Sequence, residues 1–283
     1  MLLPGELTAK NLAKELWLDL TEINLTGGAA ELAYYFILAL FPMLIFLTSL
    51  VGFLPNVREN IFFALAKVTP GEASMLIGQT LNDVVINRSG GLLSFGVLGA
   101  LWAGSGGVSS LINGLNAVYR VKEGRSFVRV RLISIGLTAL ISVLVIGGTL
   151  LVTFGGKLVT WLAIRFGMTR FGEALTGVTN YTLSLILVTI GIAIIYRGAP
   201  NVRQKWRWVM PGAVFSVAAI IILSFLFSIY VRYAPSYSAT YGSLGAAIVL
   251  LLWLYLVGLV LLFGGDINAK IREAAEKPVV EKE

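Results

Sequence analysis

The sequence predicts an all-α polytopic membrane protein. The expected parts are six transmembrane helices, an N-terminal amphipathic interfacial helix and short helices in the first outer loop. Three observations carry this. Of 283 residues, 57% are hydrophobic and 13% charged, against about 25% charged in soluble domains, and mean hydropathy is +0.85. The apolar residues gather into six segments, each close to the ~20 residues that a helix needs to cross a bilayer. The basic residues concentrate in alternate connections between those segments.

Composition also excludes chemistry. The chain has no Cys and no His, so disulfides, Cys/His metal centres and Ser-His-Asp or Cys-His triads are impossible. No metal site and no cofactor are expected. The catalytic residue types left are carboxylates, Lys, Arg and Tyr.

The start, M-L-L-P-G-E, has no basic residue before an apolar run, and a cleavable signal peptide is not expected. Residues 8–23 read as an amphipathic helix. Leu12, Ala13, Leu16, Trp17, Leu20 and Ile23 share one arc at 100° per residue, and Lys10, Lys14, Glu15, Asp19 and Glu22 take the other. Such a helix lies in a membrane interface or packs on the ends of the bundle.

The six apolar segments cover about 29–54, 92–118, 132–156, 179–197, 209–231 and 243–265. The second is the most polar, carrying Trp102, Ser105, Ser109, Ser110, Asn113 and Asn116 among many glycines. That polarity places it inside the bundle, away from lipid. Pro42 is expected to kink the first segment. In the outer loop 55–91, residues 60–68 and 72–86 read as short helices around the Thr69-Pro70-Gly71-Glu72 break. The expected organisation is a cytoplasmic N-terminal helix over 1–28, a transmembrane domain over 29–269 and a cytoplasmic tail over 270–283.

Orientation follows from the basic residues. Of 22 Lys and Arg, 15 fall on the side of the two termini and of the connections after spans two and four. Both termini are therefore expected in the cytoplasm, with the protein in the cytoplasmic (inner) membrane. Spans two and four both end in Tyr-Arg (Tyr119-Arg120 and Tyr196-Arg197), a faint sign of internal repetition.

Several segments carry a family pattern: L-A-Y-Y-F-I-L-A-L-F-P from Leu32, L-N-G-L-N-A-V-Y-R closing span two, and R-W-V-M-P-G from Arg207. Y-A-P-S-Y-S-A-T-Y-G-S-L-G-A from Tyr233 and G-G-D-I-N-A from Gly264 complete it. In this order and spacing the chain resembles the YihY/virulence factor BrkB family of inner-membrane proteins, from about residue 8 to 272. The resemblance implies six membrane helices. It also implies a link to serum resistance and to envelope lipid traffic. An older ribonuclease BN label on that family is widely regarded as a misassignment. Glu31 stands where a small or neutral polar residue is more usual in the family, so any role for it comes from this chain alone.

The residues also argue against a nuclease. The acids do not cluster, and D-x-D and H-x-H spacings are missing. Basic loops interleaved with Phe127, Trp206 and Trp208 fit membrane topology and lipid headgroups as well as nucleic acid, and no nucleic-acid partner is expected.

Two polar regions are candidate ligand sites. At the cytoplasmic ends, Glu31, Tyr34, Tyr35, Asn113, Asn116, Arg120, Arg197 and Asp266 come to similar depth. They read as a headgroup vestibule or as structural pairs, with Glu31 expected to face Arg120, Arg197 or a nearby Asn or Tyr. A cleft along span two is expected to reach from Asn113 and Asn116 toward Trp102 and Ser105. On the outer side, Tyr237 and Tyr241 crowd a serine- and tyrosine-rich turn around Pro235. The leading expectation is a transporter or flippase-like protein for a lipid or other amphiphile, with membrane lipids as partners. It is not expected to be an enzyme, and no Walker A motif is present. The alternative is a non-transporting scaffold for envelope assembly.

Overall fold

The computed structural model describes residues 18–19, 22–53, 90–165, 169–233 and 243–276. Most of the amphipathic segment 8–23, the paired outer-loop helices and the turn holding Tyr237 and Tyr241 lie outside these residues.

Six long helices make up the described chain: α1 (Leu25–Phe53), α2 (Gly90–Val118), α3 (Phe127–Arg165), α4 (Thr169–Gly198), α5 (Trp206–Tyr233) and α6 (Ser243–Glu276). Each covers one of the six apolar segments. Four are long and apolar enough to cross a membrane, over Ser94–Val118, Phe127–Leu144, Trp206–Arg232 and Ala247–Glu276. α1 and α4 contribute shorter apolar stretches, Leu25–Leu40 and Thr182–Gly198.

The helices close into a ring. Each packs on its neighbour in the chain, α6 returns to pack on α1, and α6 also touches α2. The ring's outer face is apolar and exposed, as at Ile221, Ile222, Phe225 and Leu226 of α5. That is the surface expected of helices facing hydrocarbon. α2 is the most enclosed span: 47% of it is buried, against 11–22% for the other three. The expectation that the polar helix sits inside holds.

Lipid tails are as apolar as leucine, so burial alone does not drive helix association; close packing and interhelical hydrogen bonds do. Small residues supply the closeness. A side chain at Gly106 or Gly107 of α2 would meet the Tyr35 or Phe36 ring of α1. One at Gly264 of α6 would overlap Ser216 and Tyr196.

Three helices differ from expectation in length. α6 runs on to Glu276, through the 269/270 boundary where the sequence reading starts the tail. The stretch A-K-I-R-E-A-A-E consists of good helix formers, and Arg272 pairs with Glu276 one turn on at 3.1 Å. α3 extends to Arg165 and α4 begins at Thr169, so the two helices take in most of the expected loop 157–178.

Candidate functional site

One end of the bundle collects the start of α1, the ends of α2, α4 and α6, and the starts of α3 and α5. It carries the connections 119–126 and 199–205, and is called the basic end here. α1 begins with Asn24 as its cap: the side-chain oxygen accepts the Gly27 N–H at 3.2 Å. α2 ends in a Schellman turn, with Val121 N–H on the Asn116 carbonyl and Arg120 N–H on Ala117, both at 2.9 Å. The left-handed position belongs to Arg120, with φ 53°, where glycine is usual. A non-glycine residue there costs about 1–2 kcal/mol. This strained turn directs the Arg120 guanidinium at Asp19, 3.2 Å away.

Asn116 holds the two connections together. Its amide nitrogen donates to Glu123 at 2.8 Å and its oxygen accepts the Asn201 N–H at 2.7 Å. Glu123 takes a bidentate pair from Arg125 at 2.7 and 2.6 Å, and Arg125 also donates to the Ala199 carbonyl at 2.8 Å. Arg125 beside it holds the Glu123 carboxyl well below the usual range, at about 2, helped by Asn116.

A second layer joins α4, α5 and α6. The Tyr196 hydroxyl donates to the Leu261 carbonyl at 2.6 Å and meets Ser216 at 2.7 Å. Pro211 interrupts the α5 backbone. Asn268 patches that region, accepting the Gly212 N–H at 2.8 Å and donating to the Val209 carbonyl at 3.1 Å. The R-W-V-M-P-G and G-G-D-I-N-A segments therefore touch in space.

Between these layers lies an acidic pair. Asp19 and Asp266 are both buried and stand close together. Asp19 is paired with Lys270 at 2.6 Å and with Arg120. Both Asp266 oxygens are buried without a hydrogen-bond partner, as is the Tyr119 hydroxyl. Burial pushes the Tyr119 ionisation far up, so the hydroxyl keeps its proton. An open pocket of about 360 Å³ is lined by Glu22, Ile23, Ala117 and Arg120, the last of which pairs with Asp19.

Cations lie over aromatic rings at this end, and Arg131 does so further along α2, where it also donates to the Trp102 carbonyl at 3.1 Å. Arg131 sits 4.0 Å from the Trp102 ring and Arg197 4.7 Å from Trp206; Lys205 and Arg207 flank Trp208 at 4.8 and 5.6 Å. Trp102, Phe127 and Trp206 are exposed.

The sequence-derived candidates divide accordingly. Asn116, Arg120 and Asp266 converge at the basic end, and Arg197 lies on its rim. Glu31 is exposed and makes no ion pair among the described residues. Arg120 takes Asp19 instead, because the Schellman turn points it there. Tyr34 is exposed and Tyr35 half-buried against Gly106. Asn113 is exposed, one helical turn from the buried Asn116. Trp102 faces outward, whereas Ser105 is fully buried and donates to the Trp102 carbonyl at 2.7 Å. These residues therefore do not line one continuous cleft. The polar groups of Asn116 and Ser105 are satisfied by the connections and by backbone. The sequence reading missed Asp19 by placing it on the solvent face of the amphipathic helix. Nothing local marks it, since its partners are more than 100 positions away.

An all-helical ring with an apolar outside and a polar, basic end defines an integral membrane protein. The family model for virulence factor BrkB matches residues 16–283, and the chain belongs to that family. A ribonuclease-like protein, YfkH, of Bacillus subtilis is 38% identical over 94% of this chain and 96% of its own length. UPF0761 membrane proteins of Alteromonas mediterranea and Rhodospirillum centenum are 28% and 27% identical, over 92% and 87% of this chain and 87% and 54% of theirs. No solved structure matches.

Proposed function

We propose that the protein moves an amphiphile with an anionic headgroup, a lipid or lipid-like envelope component, between membrane leaflets. In this reading it lies in the cytoplasmic membrane with six crossings, its basic end and both termini in the cytoplasm. The observation that carries it is the set of cations stacked on aromatic rings, at the basic end and along α2, beside a wide apolar surface. Arg131–Trp102 and Arg197–Trp206 offer charge to a phosphate and an apolar face to acyl chains. Each cation near an anionic surface contributes roughly 1 kcal/mol.

A ribonuclease reading has little chemistry to rest on. Among the described residues no three acidic side chains gather as a metal site would need, and the rim cations serve headgroups equally well.

The alternative is a non-transporting scaffold. Its support is that Asn116 and Ser105 find partners within the fold, so α2 needs no water-filled cleft to satisfy them. Reconstitution separates the two. Vesicles carrying the purified protein and a fluorescent phosphatidylglycerol are expected to show transbilayer movement, weakened several-fold in Arg131→Gln/Arg197→Gln. Movement no faster than in protein-free vesicles would leave the scaffold.

A further inference from the structure

Asp266 is the least comfortable side chain in the described fold. It is fully buried, with no hydrogen-bond donor to either oxygen. Asp19, 2% exposed, stands next to it. An ionised carboxyl that is buried without donors is costly, and a second acid beside it adds repulsion. Two acids so placed characteristically share one proton.

The surrounding charges do not remove the cost. Lys270 and Arg120 are engaged with Asp19 at 2.6 and 3.2 Å, and neither donates a hydrogen bond to Asp266. The Arg120 side chain is 66% exposed, so solvent screens it. Glu22 lies 3.9 Å beyond it. Among the described residues, Tyr119 at the end of α2, Tyr196 from α4 and Arg272 from α6 are further charged or titratable groups nearby. α5 meets this stretch of α6 through Gly212 and Ser216, which do not titrate. The buried Tyr119 hydroxyl, unpartnered, is a second donor available to a carboxyl pair. A metal cation fits less well, because the Lys270 ammonium already occupies the space beside Asp19 Oδ2.

We propose that Asp266 holds an exchangeable proton, shared in a hydrogen bond toward the Asp19 carboxylate while Asp19 is docked, and that loss of this proton to water drives Asp19 out of the cluster. The bound state is a carboxyl–carboxylate hydrogen bond, paired on the Asp19 side with Lys270 and Arg120. When the proton leaves, two adjacent buried anions remain, and withdrawal of Asp19 into water relieves them. The docked form then carries one more proton than the undocked form. Docking weakens as pH rises, by up to about tenfold per pH unit across the transition. The site is defined by proton binding and stands whether or not the protein transports an amphiphile.

The test is pH-difference infrared spectroscopy on the full-length protein in nanodiscs. At neutral pH the wild type is expected to show the carbonyl stretch of a protonated carboxyl group, disappearing as pH is raised. Asp266→Asn should lack this band. Asp266→Glu should keep it at a shifted position, which guards against loss of fold as the cause. Asp19→Asn should move its disappearance to lower pH by removing the neighbouring charge. Because the chain has no cysteine, a single spin label at Leu18→Cys reports on docking. Its mobility should increase over the same pH range in wild type and stay constant in Asp266→Asn. Absence of the band in wild type at neutral pH, or its survival in Asp266→Asn, overturns the proposal, as does label mobility that follows pH equally in both proteins.

Discussion

The side-chain oxygen of Asn268 accepts the backbone N–H of Gly212 at 2.8 Å, joining α6 to α5 where Pro211 breaks the helical hydrogen-bond ladder. The same side chain donates to the Val209 carbonyl. One amide thus supplies a donor and an acceptor to backbone that proline has disturbed.

Asn268→Ala is expected to lower stability by about 1–3 kcal/mol, the usual cost of leaving buried polar groups unpaired. Asn268→Asp keeps the acceptor for Gly212, and only its protonated form keeps a donor for the Val209 carbonyl, so it should be intermediate only when the new acid is neutral. Unfolding midpoints of the purified protein in one detergent give the comparison. An unchanged midpoint for Asn268→Ala would show that the contact is dispensable.

Glycine positions should split sharply. Gly264→Ala places a methyl group against Ser216 and Tyr196 and is expected to destabilise by about 1–3 kcal/mol through overpacking. Gly136→Ala on α3 meets nothing within 4 Å. It should be neutral or gain up to about 1 kcal/mol of helix propensity. Thermal unfolding of the two variants beside wild type checks both signs.

The Glu123–Arg125 pair makes part of the stability acid-sensitive. Its carboxyl titrates at about 2 in the fold against an ordinary 4.5. A lowered value means that its contribution is complete above the ordinary value and fades as pH falls toward 2. The stability difference between wild type and Glu123→Gln should therefore be constant above about pH 5 and shrink below it. A difference that does not change in acid would place the stabilisation elsewhere.

Topology is open to a direct check. Reporter fusions after Glu283 and within residues 55–91 should report opposite compartments, the former cytoplasmic. The same compartment for both would remove the six-crossing arrangement.

Asn116→Leu is expected to lower stability rather than to affect a ligand alone, because Asn116 ties Glu123 to Asn201. Asn113→Leu, at an exposed position, should leave the unfolding midpoint within about 0.5 kcal/mol, as surface changes do. Measuring the two singly separates a structural role from a binding one.

The helical class, the six apolar segments, the interior position of α2 and the gathering of basic residues were determined by the sequence itself. Each depends on local composition: runs of apolar residues long enough for a bilayer, serines and asparagines too costly for lipid, and glycines that admit a neighbouring helix. The helix ends were less legible, because A-K-I-R-E-A-A-E continues α6 on helix propensity alone after hydropathy has fallen. Only the tertiary structure decided which polar groups meet. It exposed Glu31 and buried Asp19, satisfied Asn116 from two connections, and turned Trp102 away from Ser105. The physical reason is that a buried charge or amide is specified by its partner. For Asp19 and Lys270, or Asn268 and Gly212, the partner lies far along the chain and becomes adjacent only when the ring of helices closes.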